Sequence, residues 1–146
     1  MELDTLRDLY IDELKDLYSA ENQILKALPR MIKAASNPEL KQAFETHLRQ
    51  TEGQVQRLDQ IFQELDASPR GKKCVGMEGL IEEAKELLSE KPEPEVLDAG
   101  LISKAQHVET LLFAFPVVDA DSATLQLRWG TTVVPLSIRA RSPGAP

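Results

Sequence analysis

Apolar residues recur with a helical spacing through the first 109 positions of the chain. In two long stretches the interval between them alternates between four and three residues. The first series is Tyr10, Leu14, Leu17, Glu21, Ile24, Leu28 and Met31. The second series is Leu40, Phe44, His47, Thr51, Gln54, Leu58, Ile61 and Leu65. This spacing places each series on one face of a helix and predicts helices that pack at coiled-coil-like angles.

Capping residues and prolines indicate where the helices begin and end. Thr5, with Asp8 three residues later, resembles a capping box. Asn37 followed by Pro38 is typical of an N-cap and a first helical position. The predicted helices are about 4–35, 38–66, 77–89 and 94–109. Short links within each pair and a longer loop between the pairs predict an all-α, four-helix bundle made of two antiparallel hairpins.

Composition and charge exclude several classes of partner. The 24 acidic and 17 basic residues give a net charge of −7, which repels nucleic-acid phosphates and anionic lipid surfaces. No apolar run approaches the roughly 20 residues needed to cross a bilayer, and the N-terminus is acidic, so we expect a cytoplasmic protein. The single cysteine, Cys74, excludes an intramolecular disulfide and a multi-cysteine metal site. Any metal would need oxygen and imidazole ligands.

Glu21 interrupts an otherwise apolar helix face. A buried carboxylate is costly unless it is paired, protonated or bound to a metal. The geometry of a hairpin that turns near Asn37 places Glu21 opposite the segment between Thr51 and Gln54. His47 and Gln50 lie one or two turns away on the same helix. We therefore expect a polar layer across the middle of the bundle.

The second pair of helices repeats this arrangement. Glu109 continues the apolar stripe of the fourth helix, and Glu78 is the nearest carboxylate on the third. Two hairpins that each offer a core-facing glutamate suit a carboxylate-bridged di-metal site. Simpler alternatives remain open at each position. Glu21 could pair with a base such as Lys26, His47 could be a core imidazole bonded to a backbone carbonyl, and Glu78 could belong to a solvated helix face.

Four segments of the chain resemble a known family. They are DLYSAENQILKALPRM, FETHLRQTEGQVQRLDQIF, KCVGMEGLIEEAKELL and DAGLISKAQHVE. In this order, over about residues 3–109, they resemble the YciE/YciF-like family of bacterial ferritin-like proteins. The resemblance implies a ferritin-like bundle associated with stress responses, a homodimer, and a core able to hold two iron or manganese ions. It implies no settled biochemical activity.

The resemblance also implies a set of metal ligands. Glu21 and His47 match the carboxylate of the first helix and the histidine of the second. Many members have glutamate where this chain has Gln50, and Glu78 and Glu109 match the acidic positions of the third and fourth helices. We therefore expect an incomplete di-metal site with weak metal binding and little or no turnover. The alternative function is a non-catalytic structural or interaction bundle that acts as a homodimer.

The chain departs from the family after Glu109. The family typically reads Glu-His-Tyr-Glu at this point, whereas Thr-Leu-Leu-Phe follows Glu109 here. Residues 110–146 lack Glu, Lys, Tyr, His, Asn, Met and Cys. We therefore divide the chain into a ferritin-like helical domain, 1–109, and an atypical non-helical tail, 110–146. The favoured hypothesis is that this tail is an out-of-frame translation or an insertion scar. The chain would then be a truncated family member with a disordered tail. The rival is a β-hairpin with strands over 124–129 and 131–138.

Overall fold

The computed structural model describes residues 4–110, 113–119, 122–129 and 132–139, with side chains described for residues 4–105. The helices are α1 (Leu6–Ala34), α2 (Pro38–Glu64), α3 (Val75–Glu90) and α4 (Pro94–Thr110). They form the predicted all-α bundle of two antiparallel hairpins. The chain divides into two compact units, Met1–Ala105 and Gln106–Pro146. Within the part of the chain that is described, no helix combines the length and the apolar character that membrane crossing requires.

The two long helices begin at the predicted caps. The Thr5 hydroxyl accepts a hydrogen bond from the Asp8 backbone N–H at 3.1 Å, and the Asp8 carboxylate accepts one from the Thr5 N–H at 3.0 Å. This confirms the capping box, which satisfies backbone donors that have no partner within the helix. Asn37 Oδ1 accepts from Glu39 N at 2.8 Å and from Leu40 N at 3.1 Å. The start of α2 is therefore fixed as predicted.

The core of the first hairpin follows most of the predicted helix faces. The buried residues of α1 are Ile11, Leu14, Ala20, Glu21, Ile24, Leu28 and Met31, and those of α2 are Phe44, Thr51, Leu58 and Phe62. Near the far end of the hairpin the buried position moves by one residue, to Ile11 instead of Tyr10 and to Phe62 instead of Ile61. A straight α-helix has 3.6 residues per turn and drifts about 20° per heptad from a strict seven-residue repeat. The drift accounts for Phe62, which lies five turns of 3.6 residues after Phe44. It does not account for Ile11, because towards the N-terminus the same drift favours position 9 or 10.

Within residues 75–105, helices α3 and α4 bury fewer side chains than the first hairpin. Met77 and Ala84 are buried on α3, and Leu101 is fully buried on α4. A Cβ atom added at Gly100 would lie 2.6 Å from Cδ2 of Leu87. A side chain at position 100 would therefore require Leu87 to move.

Unit Gln106–Pro146 contains three antiparallel strands in the order β1-β2-β3. They are β1 (Phe113–Asp119), β2 (Ser122–Trp129) and β3 (Thr132–Arg139). Strands β2 and β3 agree with the β interpretation of 124–129 and 131–138, whereas β1 was not predicted. The register of β1 shifts between Ala114 and Val117, around Pro116. Proline has no N–H for a strand ladder, so a register irregularity on an edge strand is a place that accommodates it. The genetic origin of the tail stays a prediction.

Candidate functional site

The most unusual side chain of the helical unit is the carboxyl of Glu21. It lies on the core face of α1 between the apolar residues Leu14 and Ile24 and is 5% exposed. Burial raises its pKa to about 7, although the positive charge of Arg57 acts in the opposite direction. Removal from water disfavours the ionised form of an acid. At neutral pH the carboxyl is therefore close to half protonated.

Gln54 of α2 is the polar partner of this carboxyl. In the amide orientation that satisfies both of its ends, Gln54 Nε2 donates to Glu21 Oε2 at 3.1 Å and to Glu21 Oε1 at 3.3 Å. One amide group therefore spans both carboxyl oxygens. This contact confirms the prediction that Glu21 faces the segment between Thr51 and Gln54.

Thr51 adds a second polar group to the buried face of α2. It lies one helical turn before Gln54 and is fully buried. Among the described residues, its Oγ1 atom has no hydrogen-bond partner. Leaving a buried hydroxyl unsatisfied costs about 1 to 3 kcal/mol. The polar layer, defined here as Glu21, Thr51 and Gln54, is thus maintained at a cost in stability.

The other predicted metal ligands lie in different environments. His47 is half-buried and Gln50 is exposed on α2. Glu78 is half-buried at the start of α3 and forms an ion pair with Lys73. Glu109 lies in α4, but its side chain is outside the described ones. Their assignment as metal ligands stays a prediction.

The three side chains of the polar layer do not by themselves supply the ligands of a di-metal centre. Such a centre requires carboxylates that bridge two ions, usually with histidine. The layer offers one carboxyl, one amide and one hydroxyl, and the Gln54 amide already contacts both oxygens of Glu21. Across the described residues, no three His, Cys, Asp or Glu side chains are grouped so that they could hold a metal ion.

Tyr18 lies one turn before Glu21 on α1. The pKa of its hydroxyl is raised by burial and by the carboxylate of Asp59 on α2. The Tyr18 ring packs edge-on against Phe62, with centroids 6.0 Å apart and an interplanar angle of 84°. Tyr18 therefore belongs to the contact between α1 and α2.

Sequence reasoning missed a polar stripe on α1 that binds the loop before α3. Ser19 Oγ accepts a hydrogen bond from Cys74 N at 2.9 Å, and Gln23 Nε2 donates to Cys74 O at 3.0 Å. Lys72 pairs with Asp12 two turns earlier on the same helix. The stripe was detectable as polar residues at helical spacing: Asp12, Asp16, Ser19 and Gln23. Nothing in the sequence showed that a loop would occupy it.

The thiol of Cys74 also faces this stripe. The cysteine is half-buried, and its pKa is raised by burial and by a hydrogen bond with Asp16. The thiolate is the reactive form of cysteine, so a raised pKa lowers its reactivity at neutral pH. The role of Cys74 here is to attach the start of α3 to α1 through its backbone.

Asp98 is a second buried acid that sequence reasoning missed. It lies on α4 and is 9% exposed. Its carboxylate accepts hydrogen bonds from Ser36 N at 2.8 Å, Ser36 Oγ at 2.6 Å and Asn37 N at 2.9 Å. The hydrogen bonds from Ser36 hold the pKa of Asp98 below its usual range. A signal was present in the sequence, because Asp98 stands three residues before Leu101 on the buried face of α4.

Comparisons with known proteins bear on this site. A family model described as a domain of unknown function, DUF892, matches residues 5–114. Protein YciF of Escherichia coli K12 is 46% identical over 110 residues, which are 75% of this chain and 66% of YciF. The chain thus spans just under two thirds of the length of that relative.

Two solved structures are similar to the chain. The E. coli stress protein YciF matches with a TM-score of 0.68 and 47% identity, over 73% of this chain and 67% of that one. YcfI of Rhodopseudomonas palustris, described as a candidate structural protein, matches with a TM-score of 0.70 and 44% identity. That match covers 74% of this chain and 69% of YcfI. The resemblance to the YciE/YciF-like family is confirmed.

Proposed function

The chain belongs to the DUF892 family, and from this premise we propose that it acts in the bacterial stress response as a non-catalytic structural bundle in the cytoplasm. The polar layer is, in this proposal, what remains of a carboxylate and histidine di-metal site. The observation that carries the proposal is the contact of the Gln54 amide with both oxygens of the buried Glu21 carboxyl. Two relatives of the chain, a stress protein and a protein described as a candidate structural protein, support the same class of role.

The chemistry of the layer favours a structural role. A side-chain amide stabilises a buried carboxyl group without a metal, because its N–H groups donate hydrogen bonds to the oxygens that would otherwise bind the metal. Matched polar groups on facing helices also fix which residues lie opposite each other, since any other register leaves the acid unpaired. Glu21 and Gln54 supply such a pair between α1 and α2.

A homodimer is part of the proposal. Leu6 and Leu9 are 51% and 40% exposed on the first turns of α1, and Val75 is 73% exposed at the start of α3. Large exposed apolar side chains support association with another protein surface, and most soluble oligomers are symmetric homo-oligomers. Sedimentation of the full chain over a range of concentrations measures the assembly.

Metal content distinguishes the structural role from a di-metal oxidoreductase. The wild-type chain, Glu21→Gln and the exposed-site control Glu45→Gln are expressed in medium supplemented with iron and manganese, and E. coli YciF is prepared in parallel. We expect no stoichiometric metal in any form of this chain. Close to two ions per chain, lost in Glu21→Gln and retained in Glu45→Gln, would contradict the structural role and support the oxidoreductase.

A further inference from the structure

A polar cluster connects helix α4 to the turn between α1 and α2. The cluster, called the clasp here, comprises Asp98, Ser36 and Asn37. Both carboxylate oxygens of Asp98 accept hydrogen bonds, with three donor contacts of 2.6 to 2.9 Å. Two of the donors are backbone N–H groups that precede or start α2, so their geometry depends on the turn and not on a side-chain rotamer. The clasp therefore connects α4 to the first hairpin across about 60 residues of sequence.

Within residues 94–105, the remaining attachment of α4 is light. Among residues 94–105, Asp98 and Leu101 are the buried ones, and Val96 and Ile102 are 59% and 44% exposed. Lys104 pairs with Glu83 of α3 at 2.8 Å in a contact whose carboxylate is half exposed. Ion pairs of this kind contribute little to stability. Segments with few buried apolar contacts are the ones that open locally at low free energy.

The link before α4 provides a hinge. Lys91 adopts a left-handed conformation, with φ 48° and ψ 53°, where α3 ends. Pro92 and Pro94 follow and restrict the backbone on either side of Glu93. A change in the backbone dihedral angles of Lys91 and Glu93 alone would therefore rotate α4 as a rigid body. Hinges of this type consist of a few residues at the ends of elements.

We propose that α4 is a hinged arm that opens as a unit while α1 and α2 remain folded, and that the clasp sets how often the arm opens. Opening separates Leu101 from its packing and Gly100 from Leu87, and so uncovers apolar surface that the closed bundle hides. The protein then has two arrangements of the same helices, and anything that competes for the clasp shifts the balance between them. The proposal rests on the clasp geometry and does not depend on the function proposed above.

Hydrogen exchange of the full-length chain, followed by mass spectrometry of its peptides, tests the arm. The decisive variant is Asp98→Asn, which keeps the size of the side chain but replaces one acceptor oxygen with an NH2 group, a hydrogen-bond donor. We expect the α4 peptides to exchange about tenfold faster or more, with unchanged exchange in α1 and α2. Ser36→Ala removes one donor and should give a smaller acceleration in the same peptides. Glu95→Gln, an exposed carboxylate on the same helix, serves as the matched control and should have no effect.

Two results would overturn the proposal. Equal acceleration in α1, α2 and α4 would mean that Asp98 supports the stability of the whole bundle and no separate arm exists. Unchanged exchange of α4 in both Asp98→Asn and Ser36→Ala would mean that the clasp does not control opening. If Asp98→Asn fails to fold, Ser36→Ala decides between these results, because it leaves the two backbone donors in place.

Discussion

The two helical hairpins are held together in different ways. Helices α1 and α2 bury apolar residues on both sides of the polar layer, including the cluster of Leu14, Leu58 and Phe62, and both begin at fully formed caps. Helix α3 begins at Cys74 without a side-chain cap and buries only Met77 and Ala84 among its described residues. Hydrogen bonds to α1 and to the α1–α2 turn determine where the second hairpin lies.

In this chain, one kind of interaction provides the stability of the fold and another determines where the helices lie. Apolar burial supplies most of the free energy of folding and is not directional. Hydrogen bonds contribute less net free energy but fix geometry. The first hairpin supplies the stability, and the second is placed on it by polar groups at defined points.

Phe62→Ala should have the largest effect, because Phe62 is 2% exposed within the apolar cluster of the first hairpin. Truncation of a buried aromatic residue costs about 3 to 5 kcal/mol of unfolding free energy. Ile102→Ala, at an exposed position of α4, should stay within about 0.5 kcal/mol of wild type. Chemical denaturation measures both. Equal losses in the two variants would show that the hairpins share the stability evenly.

Glu21→Gln should raise stability at alkaline pH and not at acid pH. The pKa of Glu21 is about 7 in the folded chain against a usual 4.5, so the folded state binds a proton more tightly than the unfolded state. Wild-type stability should therefore fall as pH rises from about 4.5 to 7, by about 3 kcal/mol, and then level off. Thermal unfolding at several pH values measures this loss, which Glu21→Gln should abolish.

Glu45→Gln, at an exposed position of α2, is the control for that pH profile and should follow the wild type. A flat wild-type profile between pH 4.5 and 7 would contradict a buried acid with a raised pKa. A Glu21→Gln variant that is less stable than wild type at pH 8 would indicate that the charged carboxylate has a stabilising partner.

Thr51→Val should stabilise the first hairpin by about 1 kcal/mol, because it removes an unsatisfied buried hydroxyl and preserves the shape of the side chain. Thr51→Ser provides the opposite change, since it keeps the hydroxyl and deletes the methyl group. Urea denaturation compares the two variants. A loss of stability in Thr51→Val would show that the hydroxyl has a hydrogen-bond partner beyond the described contacts of the layer.

Lys72→Gln should have the smallest effect, a loss below about 1 kcal/mol, because the pair with Asp12 is partly exposed to solvent. The loss should shrink further in high salt, which screens exposed charges. Thermal unfolding with and without salt measures it. A larger loss would mean that the loop before α3 contributes to stability and not only to position.

The sequence predicted the parts of the fold that depend on local signals. Thr5, Asn37 and Pro38 define helix starts through contacts within four residues, and the regular spacing of apolar residues defines the buried faces. The pairing of Glu21 with Gln54 was also predictable, because a short link determines which residues of two antiparallel helices lie opposite each other. These features need no knowledge of distant parts of the chain.

The missed polar contacts of the helical unit join elements that are far apart in sequence. Asp98 binds a turn about 60 residues earlier, and the Cys74 backbone binds Ser19 and Gln23 more than 50 residues earlier. A polar residue on a helix carries no local sign of such a partner. The arrangement of Glu109 with the other predicted ligands stays a prediction, since its side chain lies outside the described part of the chain.

The raised pKa of Glu21 makes folding a reaction that consumes protons. Between about pH 4.5 and 7 the unfolded chain releases the Glu21 proton while the folded chain keeps it. Folding near pH 6 therefore takes up close to one proton from the buffer at this residue. The heat of unfolding measured by calorimetry should accordingly include the ionisation enthalpy of the buffer, and phosphate and imidazole solutions of equal pH should give different values for the same chain.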